Sequence, residues 1–206
     1  MIPIAVTQRV AEFPAVGERR DCLDQRWTLF LKACGLFPVL LPNDVEVATT
    51  IVREIRVRGL LITGGDDLEE FGGHTPERDR TEYELLKLSA DKSLPIIGLC
   101  RGMQVIQRSF GVVLERITGH VCDRMIIQAD AERRSVNSFH TLGAKTSHDD
   151  LRPWAVADDG IVKAVQHTSM PITGIMWHPE RMDPFDAIDL ALFTAHFAPV
   201  LGNTVG

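Results

Sequence analysis

The amino-acid sequence predicts an α/β fold: a three-layer sandwich with a mostly parallel central sheet, helices on both faces and a small antiparallel section late in the chain. Two patterns predict it. Short runs apolar at every position, such as "IPIAVT" (2–7) and "PIIGL" (95–99), alternate with amphipathic stretches of helical spacing. Strands apolar on both faces belong to parallel sheets covered on both sides. No repeat, low-complexity tract or composition break divides the 206 residues, so 1–206 reads as a single domain with a sizeable core.

The elements follow in order. "IPIAVT" is the first strand. From Asp21, apolar Leu23, Trp27, Phe30, Leu31 and Cys34 recur at helical spacing until Gly35 stops the run. "FPVLLP" (37–42) is a second strand, because its prolines forbid a helix. A helix over 44–56 leads into a third strand, "VRGLLIT" (57–63), and the amphipathic helix "DRTEYELLKLSA" (79–90) precedes the fourth, "PIIGL". Beyond Gly111 the strands read as shorter and more polar, in "VVLERI" and around 135–166, with "DDG" (158–160) marking a hairpin. "PITGIMW" (171–177) is another buried strand, and "PFDAIDLALFTAHF" (184–197) a last helix with Pro184 in its first turn.

Composition excludes several classes. A net charge of −6 with no long basic run argues against a nucleic-acid or membrane-surface binder. No apolar stretch reaches the ~18 residues of a membrane span, and "MIPIAVTQRV" lacks the charged start of a signal peptide. The expected location is the cytoplasm. There, Cys22, Cys34, Cys100 and Cys122 do not make a disulfide frame, and no Cys/His cluster has zinc spacing. Cys22, Cys34 and Cys122 read as small buried hydrophobes.

Cys100 is different. Gly98-x-Cys100-x-Gly102 at a strand-to-helix junction has the shape of a nucleophile elbow, in which the nucleophile sits at a strained turn that glycines allow. The helix beginning at Arg101 aims its positive end at the sulfur and favours thiolate. A thiolate nucleophile needs a base that later protonates the leaving group. His178 follows a buried strand in "GIMWHPER", Pro179 holds it extended, and His178 and Glu180 then share a face, so the carboxylate orients the imidazole. His74, His140 and His196 are weaker candidates for that base. Gly64–Gly65, at the end of the third strand, and the amide of Arg101 are candidate oxyanion donors. Such chemistry requires no metal and no organic cofactor.

Taken together, "GGDDL" (64–68), "RDRTE" (78–82), "PIIGLCRGMQ" (95–104), "VNSFH" (136–140) and "GIMWHPER" (174–181) resemble the class I glutamine amidotransferase superfamily. More closely, they are similar to its γ-glutamyl hydrolase branch, peptidase C26, which includes γ-glutamyl-γ-aminobutyrate hydrolases. The resemblance implies a flavodoxin-like fold and a thioester mechanism. Cys100 would be nucleophile, His178 base then acid, Glu180 the orienting carboxylate, and Gly65 and Arg101 the oxyanion amides. Gln104 with Asn137, Ser138, Phe139 and His140 would hold a γ-glutamyl head group. The short chain between His120 and Asn137 implies trimmed strands there. "IAVTQRV", "ERRDCLDQRW" and "RDRTEYELL" look like the short members that hydrolyse γ-glutamyl-CDP-amidate in building phosphoramidate-modified capsule. Arg9, Arg19 and Arg20, in the loop after the first strand, could then meet a diphosphate leaving group.

Three functions compete. The first is a stand-alone hydrolase of a small γ-glutamyl amide. The second is a glutaminase subunit feeding ammonia to a separate synthetase. The third keeps the fold but makes Cys100 a redox sensor, which would have no use for a carboxylate-oriented imidazole.

Overall fold

The apolar runs become neighbours in one nine-stranded sheet in the computed structural model, which describes residues 1–198. After β1 (Ile2–Val6) come a hairpin of β2 (Arg9–Phe13) and β3 (Glu18–Cys22), α1 (Gln25–Ala33), β4 (Leu36–Leu40), α2 (Val45–Glu54) and β5 (Leu60–Ile62). Then follow α3 (Pro76–Asp91), β6 (Ile96–Leu99) and α4 (Arg101–Ser109). The second half supplies β7 (Glu115–Arg116), β8 (Val121–Ala129), β9 (Glu132–Phe139), β10 (Leu142–Gly143), β11 (Leu151–Ala157), β12 (Val162–His167), β13 (Ile172–Ile175) and α5 (Ala187–Phe197). The sheet runs β4-β1-β5-β6-β13-β12-β11-β8-β9. Every pair from β4 to β13 is parallel and every pair from β13 to β9 antiparallel.

Strand alternation sorts side chains onto two faces. Ala5, Leu60, Ile62 and Ile96 pack against α2, α3 and α4 through Val52, Leu85 and Ile106. Ile4, Val6, Leu61, Ile97 and Leu99 face α1 and α5 through Trp27, Phe30 and Phe193. Both layers are buried, and they hold the carboxyl ends of β5, β6 and β13 side by side as one ledge. Asp24, Asp44 and Asp186 cap α1, α2 and α5, each carboxylate accepting a first-turn N–H.

Several expectations are corrected. Pro184 stands ahead of α5 rather than in its first turn, because Asp186 takes the capping position. Residues 9–22 form the β2–β3 hairpin instead of a loop. β8 and β9, at nine and eight residues, are the sheet's longest strands rather than short ones, and they fill the chain from His120 to Asn137. Of the three cysteines read as buried, only Cys34 is; Cys22 and Cys122 are half-buried. The hairpin marked by "DDG" joins β11 to β12, as read.

The ledge depends on two glycines. A Cβ on Gly102 would run into the Ile62 carbonyl oxygen, and one on Gly98 would lie 2.5 Å from the Gly102 carbonyl oxygen. Gly102→Ala is therefore expected to cost about 1–3 kcal/mol, as overpacking does, and to lower the melting temperature by several degrees, read by differential scanning calorimetry. An unchanged melting temperature would show that α4 can retreat from β5 without cost.

Candidate active site

β6 ends at Leu99, and Cys100 turns the chain into α4 with φ 50° and ψ −107°. A non-glycine residue with positive φ is strained, and here neighbours fix it. The Cys100 N–H donates to the Ile175 carbonyl of β13 at 2.7 Å, and the Cys100 carbonyl accepts from the Gln104 N–H at 3.1 Å. The sulfur thus stands at the carboxyl end of a central strand, in the amino-terminal field of α4.

β13 delivers the second group. Trp177 is buried, and His178 follows it at 3% exposure. Here the expected extended His-Pro-Glu is corrected: Pro179 opens a short 3₁₀ turn, Pro179–Arg181. That turn still brings Glu180 Oε1 within 2.8 Å of His178 Nδ1. The Asn137 side chain grips the backbone of His178 at both ends, its Oδ1 accepting from the N–H at 2.7 Å and its Nδ2 donating to the carbonyl at 2.8 Å. Arg26 of α1 clamps the same turn by donating to the carbonyls of Glu180 and Met182, each at 2.7 Å.

Burial by itself disfavours the Cys100 thiolate. The hydrogen bond and charge of His178, with the Arg101 N–H, outweigh it and hold the thiol below its ordinary value. Burial likewise disfavours the imidazolium, but the hydrogen bonds and charges of Cys100 and Glu180 raise His178 to about 9. Each group is among the causes of the other's shift, so Cys100 and His178 favour each other's charged form. Gly64 permits this contact: a Cβ there would lie 2.8 Å from His178 Cε1 and 3.3 Å from Cys100 Cβ.

A cavity of about 220 Å³ opens over the sulfur, lined by Cys100, Gly65, Arg101, Gln104, Phe139, His140 and His178. Seven sequence-predicted residues therefore meet there, and Glu180 stands behind His178. Asn137 and Ser138 do not line it. The Ser138 hydroxyl donates to the His120 carbonyl at 2.7 Å and accepts from Lys163 Nζ at 2.9 Å. His140 faces the cavity with both ring nitrogens occupied: Nδ1–H donates to the Leu142 carbonyl at 2.8 Å and Nε2 accepts from Lys163 at 2.6 Å. Burial first, then the Lys163 charge, lowers His140 to about 3, and burial lowers Lys163 to about 8.

A smaller lobe of about 50 Å³ shares Gly65, His178 and Arg181 with the first and adds Arg9, Asp24 and Trp27. Of the three arginines expected at the crevice, Arg9 lies against Gly65, its Cζ 3.3 Å from where a Cβ would be, with its Nη2 3.4 Å from Asp66 Oδ1. Arg19 is taken up by Glu12 and Glu77, and Arg20 by Glu18 and the Phe13 ring. Sequence reasoning missed Arg26, Arg78, Lys163 and Arg181. Lys163 left a signal, a lone charge inside the apolar run "IVKAV" (161–165); Arg26 left none, being one polar residue on an amphipathic helix. Among the described residues no cluster of His, Cys, Asp or Glu is placed to hold a metal ion, and no helix is long and apolar enough to cross a membrane.

Such a sheet, with a buried cysteine at the turn between two glycines where its central strand ends, is the architecture of the glutamine amidotransferase class. Solved structures agree. The chain superposes on a protein from Thermoplasma acidophilum with a TM-score of 0.72 at 19% identity, covering 96% of this chain and 92% of that one. It matches a glutamine amidotransferase from Thermotoga maritima with a TM-score of 0.65 at 12% identity, covering 87% and 76%. The chain belongs to the Peptidase C26 family, a family of hydrolases that matches it over residues 1–120 and 113–180. It is also similar to the gamma-glutamyl-CDP-amidate hydrolase of Campylobacter jejuni, 27% identical over 190 residues that span 91% of this chain and 94% of that protein.

The thiolate makes a prediction that needs no substrate. Iodoacetamide should label Cys100 at pH 6, below the range of an ordinary thiol. Cys34, pushed by burial to about 12, should stay unlabelled. His178→Ala removes the stabilising charge and leaves the burial, so labelling of Cys100 at pH 7 should slow by about 10-fold or more. Peptide mass spectrometry reads both, and an unshifted pH profile in the variant would refute the ion pair.

Proposed function

We propose that the protein is a stand-alone cysteine hydrolase that cleaves a γ-glutamyl amide and releases glutamate. The carrying observation is the meeting of Cys100 and His178 on one cavity at the ends of β6 and β13, with Glu180 Oε1 2.8 Å from the far ring nitrogen of His178. In this reading the sulfur attacks the γ-carbonyl carbon, and the C=O electron pair moves onto oxygen to form an oxyanion. The N–H groups of Gly65 and Arg101 receive that charge. His178 gives its Nε2 proton to the departing nitrogen, the C–N bond breaks, and a thioester remains. The neutral imidazole next takes a proton from water, hydroxide adds to the thioester, and the C–S bond breaks to release glutamate and restore the thiolate. Glu180 stays ionised and holds the Nδ1–H throughout.

Gln104, Phe139 and His140 line the head-group side. Asn137 serves by fixing the backbone of His178, and Ser138 by supporting Lys163 beneath His140. The preferred substrate is γ-glutamyl-CDP-amidate, which would make the enzyme part of capsular phosphoramidate synthesis. Two things support it: similarity to the Campylobacter jejuni hydrolase over nearly the full length of both chains, and Arg9 and Arg181 in the lobe beyond His178, where a leaving phosphate would lie. Other γ-glutamyl amines, γ-glutamyl-γ-aminobutyrate among them, are the alternative. A single 1–206 domain working in the cytoplasm completes the proposal.

Glutamate release by the purified protein from γ-glutamyl-CDP-amidate, γ-glutamyl-aminobutyrate, a γ-glutamyl dipeptide and glutamine tests this. One conjugate should be turned over fast and glutamine hardly at all. A trace from glutamine alone, rising with an added synthetase, would replace the reading with a glutaminase subunit. On the preferred conjugate Cys100→Ala should abolish turnover, while Glu180→Gln should lower kcat by about 10²- to 10⁴-fold, up to the loss seen when a triad carboxylate is replaced and less than the loss of the nucleophile.

A further inference from the structure

Arg78 is a fully buried arginine on the first turn of α3, pointing at the loop after β5. Its Nη2 donates to the carbonyls of Thr63 at 2.9 Å and Gly64 at 3.0 Å, and its Nη1 to the carbonyl of Gly65 at 2.6 Å. One guanidinium thus holds three successive carbonyls. In a trans peptide the N–H points opposite to the C=O of the same plane. Drawing the Gly64 carbonyl towards α3 therefore turns the Gly65 N–H away from α3, towards the cavity that Gly65 lines. That N–H has no backbone partner among the described residues. Gly65 holds φ at +85°, a value only glycine adopts without strain.

The same arginine is tied to the other side of the site. Glu82, also fully buried, accepts from Arg78 Nε at 2.9 Å and from the Thr7 hydroxyl at 2.8 Å on one oxygen. Its other oxygen binds the Arg101 guanidinium, which also meets Asp79. Arg101 follows Cys100 directly and opens α4. One carboxylate thereby joins the side chain that aims the Gly65 amide to the residue that carries the second amide. A solvent-facing structural ion pair would need none of these carbonyl contacts.

We propose that Arg78 is a positioning residue that sets the direction of the Gly65 N–H, with Glu82 fixing the spacing between that amide and the amide of Arg101. The inference rests on the reading of Gly65 as an oxyanion donor. It adds the group that makes it one and gives "RDRTE" a role.

Arg78→Lys keeps the charge but offers one nitrogen, which cannot serve three carbonyls and Glu82 together. With L-γ-glutamyl-p-nitroanilide as probe, kcat should fall by about 10²-fold, the effect of losing one oxyanion donor, with KM within about threefold. Amide hydrogen exchange across 63–66 should speed up, while the pH profile of iodoacetamide labelling at Cys100, a displacement that forms no oxyanion, should stay where it was. Should that variant fail to fold, Glu82→Gln, nearly the same in shape, should show the same pattern to a lesser degree. Parental kcat and parental exchange in the variants would overturn the proposal. So would a labelling profile that shifts along with kcat, which would mean general damage to the site. If the parent releases neither p-nitroaniline from the anilide nor glutamate from any of the γ-glutamyl conjugates above, while exchange at 63–66 still accelerates in the variant, the γ-glutamyl reading fails and the positioning role stands.

Discussion

The close passage of α4 over β5, at Gly102 and the carbonyl of Ile62, is the contact on which the rest of the site depends. It sets how far α4 sinks into the sheet, and so where the chain must turn at Cys100. From that turn follow the positive φ of the cysteine, the helix end facing its sulfur, and the line-up with His178 at the end of the adjacent parallel strand. Loosening this contact by an ångström would leave every side chain present and the hydrogen-bonded geometry lost.

Electrostatics around that turn are arranged in two shells of opposite character. Next to the sulfur, Cys100 and His178 each favour the other's charged form against the burial that opposes it. Behind them, Arg78 and Arg101 are matched against Asp66, Asp79 and Glu82. Ion pairs so deeply buried contribute little net stability, since desolvation offsets their attraction. What they contribute is direction, because guanidinium groups bind carbonyls and carboxylates in fixed planes.

How much was legible in the sequence depends on how local the signal was. Cys100 between Gly98 and Gly102, and His178 two residues before Glu180, announce themselves within a few positions, and the structure brings them together. The parallel half of the sheet was legible for the same reason, since buried strands leave unbroken apolar runs. The β2–β3 hairpin was not: most of its residues are charged or exposed, and cross-strand contacts such as Arg20 over Phe13 lie between its strands. Asn137 was visible as a polar residue of interest, but nothing nearby in sequence says that its amide spans the backbone of a residue 41 positions away. Arg78 and Glu82 were visible only as a pattern, because their roles depend on carbonyls of another element.

β13 enters the sheet beside β6, yet in the chain the whole antiparallel extension lies between them. During synthesis Cys100 leaves the ribosome well before His178, and it waits through the making of β8 to β12 as an ordinary thiol. Only when the last strand docks does the sulfur gain its counter-charge. A chain not yet made beyond β12 therefore holds Cys100 without His178 and Glu180 beside it.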